Sequence, residues 1–293
     1  MKRTLHIALM FSLLLSMSIS NMAFAEQRLI STKVDTPPVI DGDINEQTWQ
    51  AIKPVSIKDQ ASGNVILLRS VYTGDKVYFS AWFSDSVKNP LHKPWIWDKD
   101  KEAYETGAHR EDTFVFKWNM LDKKVDLSNF SDDSYTADVW YWKANRTNPA
   151  GYADDKNQEL SDSPSKKATE LESPAGKKRF LVRRSDQGKP AYNEFKPTAF
   201  TKAFIDRYPE STPEGSRADV IAKGEWQGGY WTIEFERKLD TGHNDDVKFD
   251  LSKGKEYLFG VSIFSLYGRP HDPNSPNLYG RGRISEPLLL SFQ

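Results

Sequence analysis

The chain has 293 residues, 13% of them aromatic and 28% charged, with 40 basic against 41 acidic side chains and no cysteine. So balanced a charge offers no basic surface for nucleic acid or an anionic membrane, and the missing thiols exclude disulfides, iron–sulfur clusters and covalent Cys-x-x-Cys-His haem attachment. Stability must come from core burial, and the length suffices for one large β domain or two small ones.

Residues 1–25 read as a signal peptide. Lys2 and Arg3 form a positive start, Ile7 to Ile19 an apolar run, and Ala23-Phe24-Ala25 a small-x-small cleavage site. The apolar run is too short to span a membrane, and no later segment is long enough. The expectation is export to a periplasm of the Gram-negative type, where a chain without disulfides is at home. Residues 26–293 then form a single domain whose net charge moves from −1 to about −3. Cleavage also removes every methionine except Met120, and leaves His92, His109, His243 and His271.

The remaining pattern is overwhelmingly β. Asn45 to Ile52 predicts a short helix capped by Asp43 or Asn45. Ile66–Thr73 and Lys76–Ser84 flank Gly74-Asp75 and predict a hairpin. Glu111 to Asn119 alternates, with Phe114, Phe116 and Trp118 on one face and Thr113, Val115 and Lys117 on the other. Ala137 to Lys143 is a further strand, while the polar stretch Asn157 to Gly176 reads as a surface loop. Lys178 to Arg184 predicts a strand and Thr198 to Tyr208 a helix. Ala218–Trp226 and Tyr230–Arg237, around Gln227-Gly-Gly229, form the clearest hairpin. Leu258–Phe264 and Leu288–Phe292 close the chain, separated by a Gly-, Pro-, Asn- and Arg-rich connection over 270–287. The fold class expected is all-β: an antiparallel β-sandwich with jelly-roll or immunoglobulin-like connections, short helices and long loops.

Two neighbouring stretches carry the functional signal. Glu111-Asp-Thr-Phe-Val-Phe-Lys-Trp-Asn-Met120 is followed by Thr136-Ala-Asp-Val-Trp-Tyr-Trp-Lys143, which gathers Trp118, Trp140, Tyr141, Trp142 and one thioether. Aromatic faces beside a soft sulfur suit a flat, apolar, metal-bearing ligand, and they suit an ordinary β core equally. Catalytic signatures are missing: there is no Gly-x-Ser-x-Gly, no His-Glu-x-x-His and no phosphate-cradling glycine loop. Glu234 and Glu236 fall on the exposed side of the strand pattern and read as solvated charge. Asp41, Asp43, Asp154, Asp155, Asp245 and Asp246 are hard oxygen donors suited to calcium, without the spacing of a known calcium loop.

The opening Pro37-Pro-Val-Ile-Asp-Gly-Asp-Ile-Asn-Glu-Gln-Thr-Trp49 resembles the start of family-nine carbohydrate-binding modules, a sandwich that carries several kinds of ligand. Ala137–Asp155, Ser216–Trp226 and Trp231–Val247 resemble the ethylbenzene-dehydrogenase-related haem-binding domain of cytochromes and of the haem b subunits of dimethyl-sulfide-dehydrogenase-like molybdoenzymes. That resemblance implies one non-covalent haem b, an electron-transfer role, and a redox partner protein or molybdoenzyme subunits as partners. It implies a methionine and a lysine as axial ligands, and Met120 takes the first place. For the second, Arg281 and Arg283 stand where a lysine is sought, and arginine stays protonated. His271 in the same connection is the better donor; Lys223, His109 and His243 are the alternatives. Arg281 and Arg283 suit haem propionates instead, and Trp118, Trp140, Tyr141 and Trp142 would wall the porphyrin. His243, in Thr241-Gly-His-Asn-Asp-Asp246, also reads as a turn histidine bonded to nearby carboxylates. Tyr141 departs from the histidine that many longer relatives carry there. The reading is a periplasmic haem b electron-transfer protein or non-catalytic subunit, the alternative a non-redox module of the same fold for a sugar or other small ligand.

Overall fold

The computed structural model describes residues 27–60, 62–264, 285 and 287–293. Residues 1–25, read above as a signal peptide, and His271, Arg281 and Arg283 lie outside the described residues.

Strand β1 (Gln27–Lys33) precedes a single-turn helix α1 (Gln47–Gln50) and then β2 (Val55–Lys58), β3 (Val65–Tyr72) and β4 (Lys76–Ser84). Next come β5 (Trp95–Asp98), β6 (Ala103–Thr106), β7 (Thr113–Asn119), β8 (Tyr135–Lys143) and β9 (Asp154–Ser161). After these follow β10 (Thr169–Glu172), β11 (Lys178–Ser185) and β12 (Phe204–Ile205). The last four are β13 (Ile221–Gln227), β14 (Tyr230–Lys238), β15 (Tyr257–Phe264) and β16 (Leu288–Phe292).

These strands form two layers. One runs β10-β11-β9-β8-β7-β15-β16-β1, the other β1-β3-β4-β14-β13 with β2 on the side of β3. β1 belongs to both. Its residues 27–31 pair in parallel with β16, and Thr32 and Lys33 pair in parallel with β3. Elsewhere the layers are antiparallel, and the expected all-β sandwich is what the chain forms. β12, β5 and β6 make a separate small sheet.

Alternation explains the core. Phe114, Phe116 and Trp118 of β7 and Trp140 and Trp142 of β8 point at β4 and β14 of the facing layer. Phe79 meets Phe116 at 5.1 Å and Trp118 at 5.4 Å between ring centroids, and Trp142 meets Trp231 edge-on at 4.9 Å. Such pairs add to the burial of each ring. The outer face of β7 and β8 is covered as well, with Val115, Ala137 and Val139 under Leu127 and Val125. There the buried ammonium of Lys117 donates to Leu127 O (2.6 Å), Tyr135 Oη (2.6 Å) and Asn129 Oδ1 (3.1 Å), holding the β7–β8 connection down.

Gly224 lets β13 approach an indole. A Cβ there would lie 2.5 Å from Trp142 Cζ2. Asn148 Oδ1 accepts from both Trp142 Nε1 (2.9 Å) and Gly224 N (2.7 Å), so the Asn148 turn joins the two layers at this crossing.

Several expectations are corrected. Glu234 is fully buried, not solvated. It accepts from Trp49 Nε1 (2.6 Å), Gly42 N (2.8 Å) and Asp41 N (3.1 Å), anchoring the first turn and α1 to β14. Gly42 fits this turn because it takes φ +92° and a Cβ would sit 2.8 Å from the Glu225 backbone N. Glu236 is half-buried against Lys76 at 2.5 Å. The first helix lasts only four residues, capped by neither Asp43 nor Asn45; Glu46 precedes it without a side-chain cap bond. The 198–208 stretch is not helical, because Phe204 and Ile205 pair with Ile96 and Trp95. The 157–176 stretch is a loop only in part: β9 runs to Ser161 and β10 covers Thr169–Glu172, with the largely exposed loop 162–168 between them, and β9 is hydrogen-bonded to both β8 and β11.

Candidate functional site

The β8–β9 register sets Asp138 beside Asn157 and Trp140 beside Asp155, so these polar groups share the inward face with the indoles. Asp138 and Asp155 are fully buried. From the opposite layer β14 sends in Arg237, also buried, with its guanidinium 5.1 Å from the Trp140 ring centroid. Arg237 lies 3.1 Å from Asp246 Oδ2 and 3.5 Å from Asp138 Oδ2, and donates to Val247 O at 2.8 Å. Asp138 Oδ2 also accepts from Val247 N (3.0 Å) and Trp140 Nε1 (3.2 Å).

Beside this cluster opens a cavity of about 950 Å³, lined among others by Asn157, Arg184, Asp186, Glu214, His243 and Asp245. His243 Nδ1 is 2.6 Å from Asp219 Oδ2, as the reading of a turn histidine held by carboxylates expects. The bond leaves Nε2 as the ring's second nitrogen. Burial, reinforced by neighbouring carboxylates, pushes Asp186 up to about 8. Burial likewise raises Asp138 to about 6 and Asp155 well above the usual range.

Met120 follows β7 at this end of the layer. It is half-buried, and its sulfur accepts from Asn157 Nδ2 at 3.6 Å, which places it one residue behind the cavity wall.

The outer face of β8 carries a second charged cluster. Lys143 Nζ lies 2.5 Å from Asp154 Oδ2, Lys156 Nζ is 3.1 Å away, and Arg217 engages Oδ1. Tyr141 and Tyr192 stack around the Lys143 ammonium at 4.7 and 5.4 Å. Nearby, Glu111 accepts from Arg146 Nε (2.5 Å) and from the backbone N of Asn145 (2.7 Å). Burial and the surrounding cations drive the His92 imidazole down to about 2, so it is neutral. Burial opposes ionisation of Asp154, yet Lys143, Lys156 and Arg217 outweigh it and hold the carboxyl well below its ordinary range. The unfolded chain therefore binds a proton on Asp154 below about pH 4 that the folded chain refuses, and stability is lost as pH falls through that point. Asp154→Asn will flatten the acid limb of the stability–pH curve by up to about 1.4 kcal/mol per pH unit, measured by urea titration between pH 5 and 2.

The structure separates the residues that the sequence grouped. Trp118, Trp140 and Trp142 are fully buried and filled around by rings, Trp118 at 4.5 Å from Phe259 and 5.1 Å from Trp140. They pack in the core, because alternation aims them at the facing layer. Tyr141 lies on the other face, 6.1 Å from Phe264. Lys223 is half-buried with its ammonium 3.3 Å from Asn148 O, and His109 is exposed beside Phe204. The residues missed were Asp138, Asp186 and Arg237, whereas Asp155 and Asp246 were read as oxygen donors suited to calcium. Their signal was present, since Asp138 and Arg237 share strand parity with Trp140 and Phe235 and so had to point inward.

Comparison with known proteins places a family model, ethylbenzene dehydrogenase, over residues 46–271. Among solved structures, the chain is similar to a family-nine carbohydrate-binding module from Caldicellulosiruptor kristjanssonii in complex with cellotriose. The identity is 11% and the TM-score 0.39, covering 91% of this chain and 95% of that one. It is also similar to a putative carbohydrate-binding protein from Bacteroides uniformis, at 10% identity and TM-score 0.42, covering 92% and 100%. No curated protein matches it significantly.

Proposed function

The chain belongs to the ethylbenzene dehydrogenase family, and from that premise we propose that it is a periplasmic, non-catalytic electron-transfer protein or subunit holding one non-covalent haem b. Its partners would be a redox protein or the catalytic subunits of a molybdoenzyme. The observation that carries this reading is the family match across residues 46–271.

The described residues fit the iron better than the porphyrin. Met120 is half-buried, and the one hydrogen bond to its sulfur comes from an amide at 3.6 Å, a contact weak enough to give way to a metal. His243 lines the neighbouring cavity with Nδ1 fixed by Asp219, the arrangement that orients metal-bound imidazoles. The wall is what does not fit. The cavity lining is polar among the described residues, and the three buried indoles are spent on the core. When bound, haem supplies one-electron transfer at a potential raised by thioether ligation.

Protein taken from a periplasmic extract should show a Soret band and a b-type pyridine haemochrome. Met120→Ala should abolish the low-spin reduced spectrum; an unchanged spectrum removes Met120 from the site. Protein that stays colourless after haem reconstitution sinks the reading.

The polar cavity favours a second reading, a non-redox module for a hydroxyl-rich small ligand. A saturable glycan titration of colourless protein, abolished by Asp245→Ala at the cavity wall, would select it.

A further inference from the structure

We propose that Asp138, Asp155 and Asp246, with Asp186 beside them, form a buried binding site for a hard divalent cation, calcium by the nature of its donors, lodged between the two layers. One ligand oxygen from each of the three falls within 4.8 Å of the others. None of the three is more than 3% exposed.

Each carboxylate is used on one side only. Oδ2 of Asp138 takes Trp140, Val247 and Arg237, while Oδ1 has no partner. Oδ1 of Asp155 accepts from Lys156 N, while Oδ2 has no partner. Oδ2 of Asp246 takes the Thr241 hydroxyl and Arg237, while Oδ1 has no partner. Each of the three carboxylates that meet here thus keeps one buried oxygen without a hydrogen-bond partner.

Asp186 is the independent observation. It is 6% exposed, both of its oxygens lack a partner, and its backbone N donates to Asp155 O. That backbone bond sets Asp186 next to the cluster, on the side where it and Asp245 line the cavity. Around it, Asp245, Arg184 and Glu214 at the cavity wall, His243 on Asp219 and Arg237 are further titratable or charged groups near the cluster. Four buried carboxylates therefore face one buried guanidinium. Burial without a counter-charge opposes ionisation of these carboxyls, and a bound cation would offset that penalty. An all-oxygen carboxylate set selects calcium or magnesium over soft metals; flexible geometry with room for water favours calcium. Asp186 and Asp245 at the cavity give the ion a route in.

The test is calorimetric titration of EDTA-treated full-length mature protein with CaCl2, with melting followed in parallel. One calcium per chain is expected, with the melting temperature raised by about 5–10 °C at a hundredfold excess over Kd. Asp155→Asn should lose that response while melting no lower than the parent in EDTA, because it removes an unpartnered buried charge. Should that variant not fold, Asp186→Asn takes its place, with at least a tenfold loss of affinity expected. No calcium response in the parent, or an equal response in a folded variant, overturns the site and leaves the carboxyls to share protons.

Discussion

Replacing Glu234 by alanine is expected to lower the unfolding free energy by about 3–5 kcal/mol, read as a fall in the urea midpoint at constant m. The carboxylate is the common acceptor for Trp49 Nε1, Gly42 N and Asp41 N. Alanine strands all three donors, each worth about 1–3 kcal/mol when buried, with some recovery through water. It also frees α1 and the Asp41-Gly42-Asp43 turn from β14. The same group shapes the neutral pH range. Burial pushes its carboxyl from 4.5 up to about 7, against the hydrogen bonds that favour ionisation. The folded state then holds a proton that the unfolded state has released, so stability falls as pH rises from about 4.5 to about 7. Asp138 and Asp186, raised by the same cause, add to that slope. Glu234→Gln should therefore reduce it by up to about 1.4 kcal/mol per pH unit, and an unchanged slope would assign it to the other groups.

Trp118→Ala should cost about 3–5 kcal/mol, by loss of buried area and by the cavity left among Phe79, Phe116, Trp140 and Phe259. Its second expected result is an absence of effect: the absorption maxima of any bound haem stay where they are, because the indole faces hydrocarbon. A shifted Soret band with little loss of stability would return Trp118 to a ligand wall.

The strand framework was legible where apolar residues alternate. β3 and β4 around Gly74-Asp75, β13 and β14 around Gln227-Gly229, and the inward row Phe114, Phe116, Trp118 all emerge from period two and turn chemistry. β9 was hidden because its inward residues are Asp155 and Asn157, and polar residues buried among partners leave no hydropathic stripe. Glu234 was misread for the same reason: its acceptors' partners lie 185 and more residues away, beyond any local window. The role of the indoles was not legible from chemistry alone, since aromatic density describes a core and a cofactor wall equally. The family, by contrast, was readable from the long motifs Ala137–Asp155, Ser216–Trp226 and Trp231–Val247, because they extend across many positions at once.

The double pairing of β1 makes closure of the layers depend on β16. Its parallel partner β16 is the final strand, and Leu29 faces Leu290 across that seam. A nascent chain lacking residues 288–292 has no way to close the layer, and it leaves the seam open to whatever strand arrives first. Deleting that short tail should therefore yield an aggregating product, not a slightly weakened one.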